Sequence, residues 1–124
     1  GGTAELSRKM ENNLTEVGLM PVTTAELSQK FNENDKRVLE VLHVLKGDKK
    51  VSEIENGTWM HNENIAKLRQ ALINHFIQNN EMGVTDFKNI TALTRKFAIP
   101  MLEYCDKQGW TDRSGNQRFK GDNL

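Results

Sequence analysis

The chain has 124 residues, of which 36% are hydrophobic, and its seventeen basic side chains are balanced by seventeen acidic ones. This length allows one ordinary domain or two very small ones, and the neutral balance gives no overall field that would demand a nucleic-acid partner. No apolar run approaches the roughly 20 residues of a membrane span. The single cysteine excludes an intrachain disulfide framework and fits a reducing compartment.

Charge is distributed unevenly between the two halves of the chain. Residues 1–60 contain eight Lys/Arg and ten Asp/Glu, whereas residues 61–124 contain nine and seven. A polyanion would therefore meet a net positive charge only in the C-terminal half, and there only a small one.

The first helix is predicted over residues 3–17, where apolar side chains recur at three- and four-residue spacing before Gly18. An extended link follows over residues 19–22. Thr23 and Glu26 then form a capping-box pattern, in which a hydroxyl and a carboxylate satisfy backbone N–H groups at the start of a short second helix. The apolar positions of these two helices are Leu6, Met10, Leu14, Val17, Leu27 and Phe31.

A third helix and a hairpin complete the first half. The helix begins after a polar turn and ends at Gly47. Short strands are predicted over residues 49–54 and 58–61, and the Asn56-Gly57 dipeptide between them is typical of a two-residue hairpin turn. The inward positions of the helix are Val38, Val41, Leu42 and Leu45.

The same order of elements then repeats. A long helix is predicted over residues 63–80 and an extended link over residues 82–84. A short helix capped by Thr85 follows, and a turn covers residues 91–93. The apolar positions of these helices are Ile65, Leu68, Leu72, Phe76, Phe87 and Ile90.

The last helix and hairpin are the most clearly marked elements. Thr94 is the predicted cap of the helix, and Gly109 suits the left-handed residue that follows a helix. Two short strands are predicted over residues 110–114 and 117–120, with a tight turn between them. The inward helix positions are Ala98, Met101, Leu102 and Cys105, so the thiol is predicted to be a buried structural group.

Three helices and a hairpin, repeated at a period of about 60 residues, are the element order of two tandem winged-helix domains. We therefore predict a mainly α fold with small β-hairpins (α+β). The predicted domains are residues 1–61 and residues 62–124.

One stretch of the second half resembles a known family. It consists of Arg95-Lys96-Phe97-Ala98-Ile99-Pro100-Met101-Leu102-Glu103-Tyr104, followed by Asp106, Gly109, Thr111 and Gly115-Asn116. This pattern resembles the last winged-helix domain of the bacterial selenocysteine-specific elongation factor, SelB. Pro100 is the most discriminating residue, because proline inside a helix removes a backbone donor and crowds the preceding turn. The sequence departs from the family pattern at Asp112, where a basic residue is usual, and at Cys105 and Trp110.

The resemblance implies that the chain is a fragment of a longer translation factor and binds the selenocysteine insertion hairpin of a selenoprotein mRNA. In that family the winged helices tether the factor to the message at an in-frame UGA, while N-terminal domains bind GTP and selenocysteyl-tRNA. We therefore expect no cofactor in this fragment, a cytoplasmic monomer, no membrane partner, and the ribosome as a further partner to consider. The first domain would serve as a spacer or rigid arm, and the second would bind RNA.

Six polar side chains are the predicted RNA-binding residues. They are Arg95, Lys96, Arg113, Asn116, Arg118 and Lys120. The first two stand at a helix start, where each cation opposes the macrodipole by roughly 0.3–1 kcal/mol unless a phosphate binds there. The others lie on the predicted hairpin, which in a winged helix reaches the nucleic-acid backbone. Asp112 would weaken any contact of this hairpin with phosphate.

Other interpretations of these residues stay open. The cations are also explained as solvated surface charge or as protection of a strand edge, and Asn116 by its tolerance of turn geometry. A DNA-binding transcriptional regulator would need base-reading side chains on the last helix, where the exposed face adds only Ile99, Glu103 and Lys107. A winged-helix protein-interaction module would fit the neutral charge and the acidic first half.

Three apolar side chains of the last helix have ambiguous positions. Ile99 lies on the polar side, where it would either pack beneath an extruded base or turn into the core next to Pro100. Phe97 and Tyr104 are predicted to lie in the core.

No catalytic or metal site is predicted. His43, His61 and His75 show no metal-ligand spacing with one another or with Cys105. The sequence has no Gly-rich phosphate loop with Lys-Ser/Thr and no nucleophile with an evident base. We therefore do not expect an enzyme.

Overall fold

A computed structural model of the protein describes residues 2–124. Contacts divide the chain into two compact units, with the division between Ile65 and Ala66. We refer to the part up to Ile65 as unit 1 and to the part from Ala66 as unit 2. Across residues 2–124, each helix is too short or too polar to cross a lipid bilayer.

Unit 1 contains three helices and a small antiparallel sheet. In chain order the elements are α1 (Gly2–Glu16), β1 (Val22–Thr23), α2 (Thr24–Phe31), α3 (Asp35–Gly47), β2 (Val51–Glu55) and β3 (Thr58–His61). The sheet order is β1-β3-β2, so the end of the predicted extended link is a strand, with Val22 opposite Trp59. The core of this unit consists of Leu6, Met10, Leu14, Val22, Leu27, Val38, Val41, Leu42, Leu45, Val51 and Trp59.

Side chains cap α2 and α3 of unit 1 as the sequence predicts. The Thr23 hydroxyl accepts from the Glu26 backbone N–H at 3.1 Å, and the Glu26 carboxylate accepts from the Thr23 N–H at 3.2 Å. At the start of α3, the Asn34 side chain accepts from the Arg37 N–H at 2.8 Å. Both helices therefore begin with their first-turn donors partly satisfied inside unit 1.

His61 links α1 to the end of the hairpin. Its Nδ1 accepts from the Glu63 backbone N–H at 3.1 Å, so its Nε2 carries the proton that is donated to the Glu11 carboxylate at 2.9 Å. This contact, supported by Lys50 at 3.3 Å, holds the pKa of the Glu11 carboxyl below its usual value of 4.5, against the opposing effect of partial burial. The ionised form of Glu11 is therefore the form that unit 1 favours.

The stability of unit 1 should consequently depend on the charge of Glu11. Because its pKa is lower in the folded chain, its stabilising contribution is complete above about pH 4.5 and is lost as the pH falls through the lowered pKa. We expect Glu11→Gln to flatten this acid-side fall, measured by urea unfolding between pH 3 and 7. Glu5→Gln on the exposed face of the same helix is the matched control, and an unchanged pH profile in Glu11→Gln would contradict the assignment.

Unit 2 repeats the same order of elements. Helix α4 (Asn62–Gln78) begins in unit 1 and continues into unit 2, and it is followed by β4 (Glu81–Gly83), α5 (Val84–Thr91), α6 (Arg95–Lys107), β5 (Thr111–Ser114) and β6 (Gln117–Lys120). The sheet order is β4-β6-β5. Its buried apolar residues are Leu68, Leu72, Met82, Phe87, Leu93, Ala98, Met101, Leu102 and Cys105. Both units thus have the predicted mainly α architecture with small β elements.

The start of α5 differs from the prediction. The cap position is Gly83 rather than Thr85, which lies inside the helix. The Gly83 N–H donates to the Asp86 carboxylate at 2.8 Å. Asp86 therefore has the role in α5 that Glu26 has in α2, where the Glu26 carboxylate accepts from the Thr23 N–H. Because glycine has no hydroxyl, the second half of the capping box is missing here.

Candidate nucleic-acid interface

The start of α6 exposes two cations that form no salt bridge within residues 2–124. Arg95 and Lys96 are both exposed, and the first turn of the helix contains no acidic residue. Thr94 occupies the predicted cap position, but its side chain makes no capping hydrogen bond within residues 2–124. Pro100 adds to the unusual geometry, since it has no N–H to donate to the Lys96 carbonyl. This helix start combines positive charge with unused backbone donors.

A groove joins this helix start to the wing, the β5–β6 hairpin. Its volume is about 430 Å³, and its lining residues are Gly83, Val84, Thr85, Asp86, Arg95, Asn116 and Gln117. The structure therefore brings together Arg95 and Asn116, two of the predicted RNA-binding residues. It also adds the first turn of α5, which the sequence-based prediction did not include.

The helix starts of unit 2 are capped differently from those of unit 1. Thr23 and Asn34 cap α2 and α3 with their side chains, whereas among the described residues neither Gly83 nor Thr94 caps α5 or α6 in this way. Free N–H groups at a helix start attract anions and phosphates. Unit 2 therefore offers backbone donors at the two helix starts nearest the groove, where unit 1 has satisfied the equivalent donors internally.

The exposed side chains of the wing lie in two different places. Arg113 is exposed and its Nε donates to the Gly115 carbonyl at 3.0 Å, which places its guanidinium beside the turn next to Asn116. Lys120 lies at the other end of β6, where it lines an apolar pocket with Ile73, Phe76, Ile77 and Leu124. The structure thus places Arg113 near the groove and Lys120 away from it.

Arg118 requires a correction, because it is only 2% exposed. Its Nη2 lies 2.9 Å from Asp106 Oδ2 and its Nε lies 3.3 Å from Asp106 Oδ1, which also accepts from the Thr111 hydroxyl at 2.6 Å. This pair joins α6 to both strands of the wing. Arg118 therefore has a structural role and leaves no surface for a phosphate.

Cys105 is buried, as the sequence predicts. Burial, reinforced by the neighbouring Asp106 carboxylate, raises the pKa of the thiol to about 12. A thiolate is the reactive form, so the folded protein should resist thiol reagents at pH 8. We expect modification by Ellman's reagent only after denaturation; rapid modification of the native chain would contradict this placement.

The three ambiguous side chains of α6 are all half-buried, so the prediction of a core position holds only in part for Phe97 and Tyr104. The Lys96 ammonium lies 5.5 Å from the centre of the Phe97 ring. Tyr104 packs edge-on against Trp110 at 5.9 Å. Ile99 is neither fully exposed to solvent nor enclosed in the core.

The histidines serve local structure in the described part of the chain. His43 packs near Trp59 at 6.0 Å, and His75 Nε2 lies 2.9 Å from the Glu81 carbonyl. His61 is the partner of Glu11. Residues 2–124 contain no group of three or more His, Cys, Asp or Glu side chains placed to hold a metal ion.

The fold and this surface define a class of protein. Three helices packed with a three-stranded antiparallel sheet, with the last two strands forming an exposed hairpin beside the third helix, are the features of a winged helix. Unit 2 has this arrangement, and Arg95, Asn116 and the first turn of α5 line one groove beside it.

Comparison with known proteins identifies the relatives within that class. Residues 74–119 match the family model for the winged helix of elongation factor SelB. A selenocysteine-specific elongation factor from Desulfomicrobium baculatum is 33% identical over 109 residues, which cover 88% of this chain and 17% of the relative. The predicted resemblance is confirmed, since the chain is similar to the winged-helix region of SelB.

Two solved structures share the fold. The mRNA-binding domain of elongation factor SelB from E. coli, solved in complex with SECIS RNA, matches with a TM-score of 0.79 and 20% identity, covering 95% of this chain and 98% of that one. A bacterial selenocysteine-specific elongation factor, EF-Sec, matches with a TM-score of 0.74 and 26% identity, covering 94% of this chain and 18% of that one. This chain therefore corresponds to a small part of the whole factors.

Proposed function

We propose that this chain binds an RNA hairpin, the selenocysteine insertion element of a selenoprotein mRNA, and so tethers a selenocysteine-specific elongation factor during UGA decoding. The observation that carries the proposal is the groove of unit 2, where Arg95, Asn116 and the uncapped start of α5 converge. All the lining residues of this groove lie within the segment that matches the SelB winged helix. The 33% sequence identity to a selenocysteine-specific elongation factor, over 88% of this chain, supports the same role.

In this proposal some residues contact RNA inside the groove and others contact it at the rim. Arg95 and the first-turn N–H groups of α5 bind phosphate, because both present positive charge or donors to the same space. Asn116 donates to a base or sugar at the wing turn, and Lys96 and Arg113 contribute phosphate contacts at the rim. Lys120 contributes only if the RNA extends to the far end of β6.

Unit 1 serves as an arm in this proposal rather than as a second RNA-binding surface. Its sequence up to Ile65 contains eight Lys/Arg and eleven Asp/Glu, whereas unit 2 contains nine and six. A net charge of −3 in unit 1 opposes a polyanion, and a net charge of +3 in unit 2 attracts one. The satisfied caps of α2 and α3 leave fewer donors for phosphate in unit 1.

The proposed role is binding and does not include catalysis. GTP and selenocysteyl-tRNA are proposed to bind other domains of the whole cytoplasmic factor, and the ribosome is proposed as a partner of the assembled complex. No cofactor is assigned to this chain. Its contribution is to hold the delivering domains close to the decoding site.

Fluorescence anisotropy tests the choice of nucleic acid. The chain is titrated into the labelled selenocysteine insertion hairpin from the same organism, into a hairpin with a scrambled loop, and into duplex DNA of equal charge. We expect tight binding only to the first, because unpaired bases of a hairpin loop are readable and a duplex offers α6 little to read. Sequence-specific duplex binding would favour a DNA-binding regulator instead.

A further inference from the structure

The outer face of the unit 2 sheet carries an aromatic ring between two carboxylates. In the sheet, Phe119 of β6 is paired with Glu81 of β4 on one side and with Asp112 of β5 on the other. We call these three residues the outer row. Side chains of directly paired residues in neighbouring strands lie about 4.5–5.5 Å apart at Cβ, so the three form one continuous strip.

Exposure shows which way this row faces. Phe119 is 40% exposed, and both carboxylates of the row are exposed. The neighbouring pair of residues is buried: Arg118 on β6 is 2% exposed, and Met82, which pairs with Arg118 from β4, is fully buried. Side chains alternate between the two faces of a strand. The outer row therefore points away from the core of unit 2, and Asp112 faces away from the side occupied by Arg113 and Lys120.

No cation of the described chain occupies the outer row. The ring contacts of cations within residues 2–124 are those of Arg69 with Trp110 and Lys96 with Phe97. Neither carboxylate of the row forms a salt bridge or a side-chain hydrogen bond with another described residue. An exposed aromatic face with an unpaired carboxylate on each side is complementary to a flat cationic group.

We propose that the outer row docks an arginine- or lysine-bearing segment of a partner protein. A guanidinium lies on the Phe119 ring and donates to Glu81 and Asp112 on either side, so that one side chain uses all three residues. Asp122, which lines a polar hollow of about 390 Å³ with Asp112, places a further carboxylate beside this site. The proposal is independent of hairpin binding, because it concerns a different set of residues.

The charge of the row favours a protein over a nucleic acid. RNA would also stack a base on Phe119, but its phosphates would then lie near two carboxylates and be repelled. A basic peptide gains from both the ring and the carboxylates. This role also accounts for Asp112, the residue of the wing that fits phosphate binding least well.

NMR titration of the full ¹⁵N-labelled chain tests the proposal with a defined probe, acetyl-Arg-Gly-Arg-Gly-Arg-amide, and with the matching Glu peptide as control. We expect amide shifts centred on the outer row with the Arg peptide only. Asp112→Asn and Phe119→Ala should each weaken its binding about three-fold, the size of one exposed ion pair or cation–π contact. Glu103→Gln, which removes an exposed carboxylate from α6, is the matched control and should leave binding unchanged.

Three outcomes would overturn the proposal. Arg-peptide shifts spread evenly over all exposed acidic residues, or unchanged affinity in Asp112→Asn, would mean that the row is not a specific site. Weaker binding of the selenocysteine insertion hairpin by Phe119→Ala, with unchanged peptide binding, would assign the row to RNA. Because Asp112→Asn changes no buried group, its folding is secure even if Phe119→Ala loosens the sheet.

Discussion

Asp106→Ala should lower the free energy of unfolding of unit 2 by about 3–5 kcal/mol, the usual result of removing one partner of a buried ion pair. Arg118 would keep its charge at 2% exposure without the carboxylate that now receives two of its N–H groups. The Thr111 hydroxyl would lose its acceptor as well. Amide hydrogen exchange of residues 66–124 measures this loss separately from unit 1.

Two further variants make the stability test specific. Asp112→Ala removes an exposed carboxylate from β5, next to Thr111, and should change the free energy of unfolding by less than about 0.5 kcal/mol. The double variant Asp106→Leu/Arg118→Met replaces both charges with apolar groups and should recover much of the lost stability. Equal effects of Asp106→Ala and Asp112→Ala would show that the pair does not support the wing.

Arg95→Ala should weaken binding of the selenocysteine insertion hairpin by about 1–3 kcal/mol, the cost of losing a direct nucleic-acid contact. Arg95 lines the groove that also contains Asn116 and the first turn of α5. Lys96→Ala, one residue along but outside the lining of the groove, should instead reduce the slope of log affinity against log salt by about 1. The two variants thus separate a groove contact from a general phosphate contact.

Lys107→Ala is the matched control for both substitutions. Lys107 is an exposed cation of the same helix but lies at its opposite end. We expect it to leave the affinity and the salt slope nearly unchanged, because screened charges act over only about 8–10 Å at ordinary ionic strength. Full hairpin affinity in Arg95→Ala and Lys96→Ala would exclude the start of α6 from the interface.

The sequence predicts the helices well because their apolar periodicity is long. The buried positions of α6 are the four that recur at three- and four-residue spacing, and β6 has the predicted bounds. The first strand of each sheet was predicted only as an extended link, since two or three residues show no alternation. Val22 belongs to a strand because it pairs with Trp59, which lies 37 positions away. A local sequence pattern cannot indicate a pairing over that distance.

The site was predicted only in part, for a similar reason. Arg95 and Asn116 can be selected from local chemistry, but their convergence with the start of α5 depends on how three separate elements pack. A strict 60-residue alignment would have placed Gly83 opposite Thr23 and indicated a helix start without a hydroxyl cap. Arg118 was misassigned because its burial depends on Asp106, twelve positions earlier on another element.

The RNA-binding role of the unit 2 groove is tested most directly by a titration of the full ¹⁵N-labelled chain with the selenocysteine insertion hairpin, followed by NMR. We expect the largest amide shifts at residues 83–86, 95–98 and 113–117, with small changes in unit 1 and in the outer row. Shifts concentrated in residues 2–65, or an equal response to the scrambled hairpin, would contradict the assignment of the unit 2 groove as the RNA-binding site.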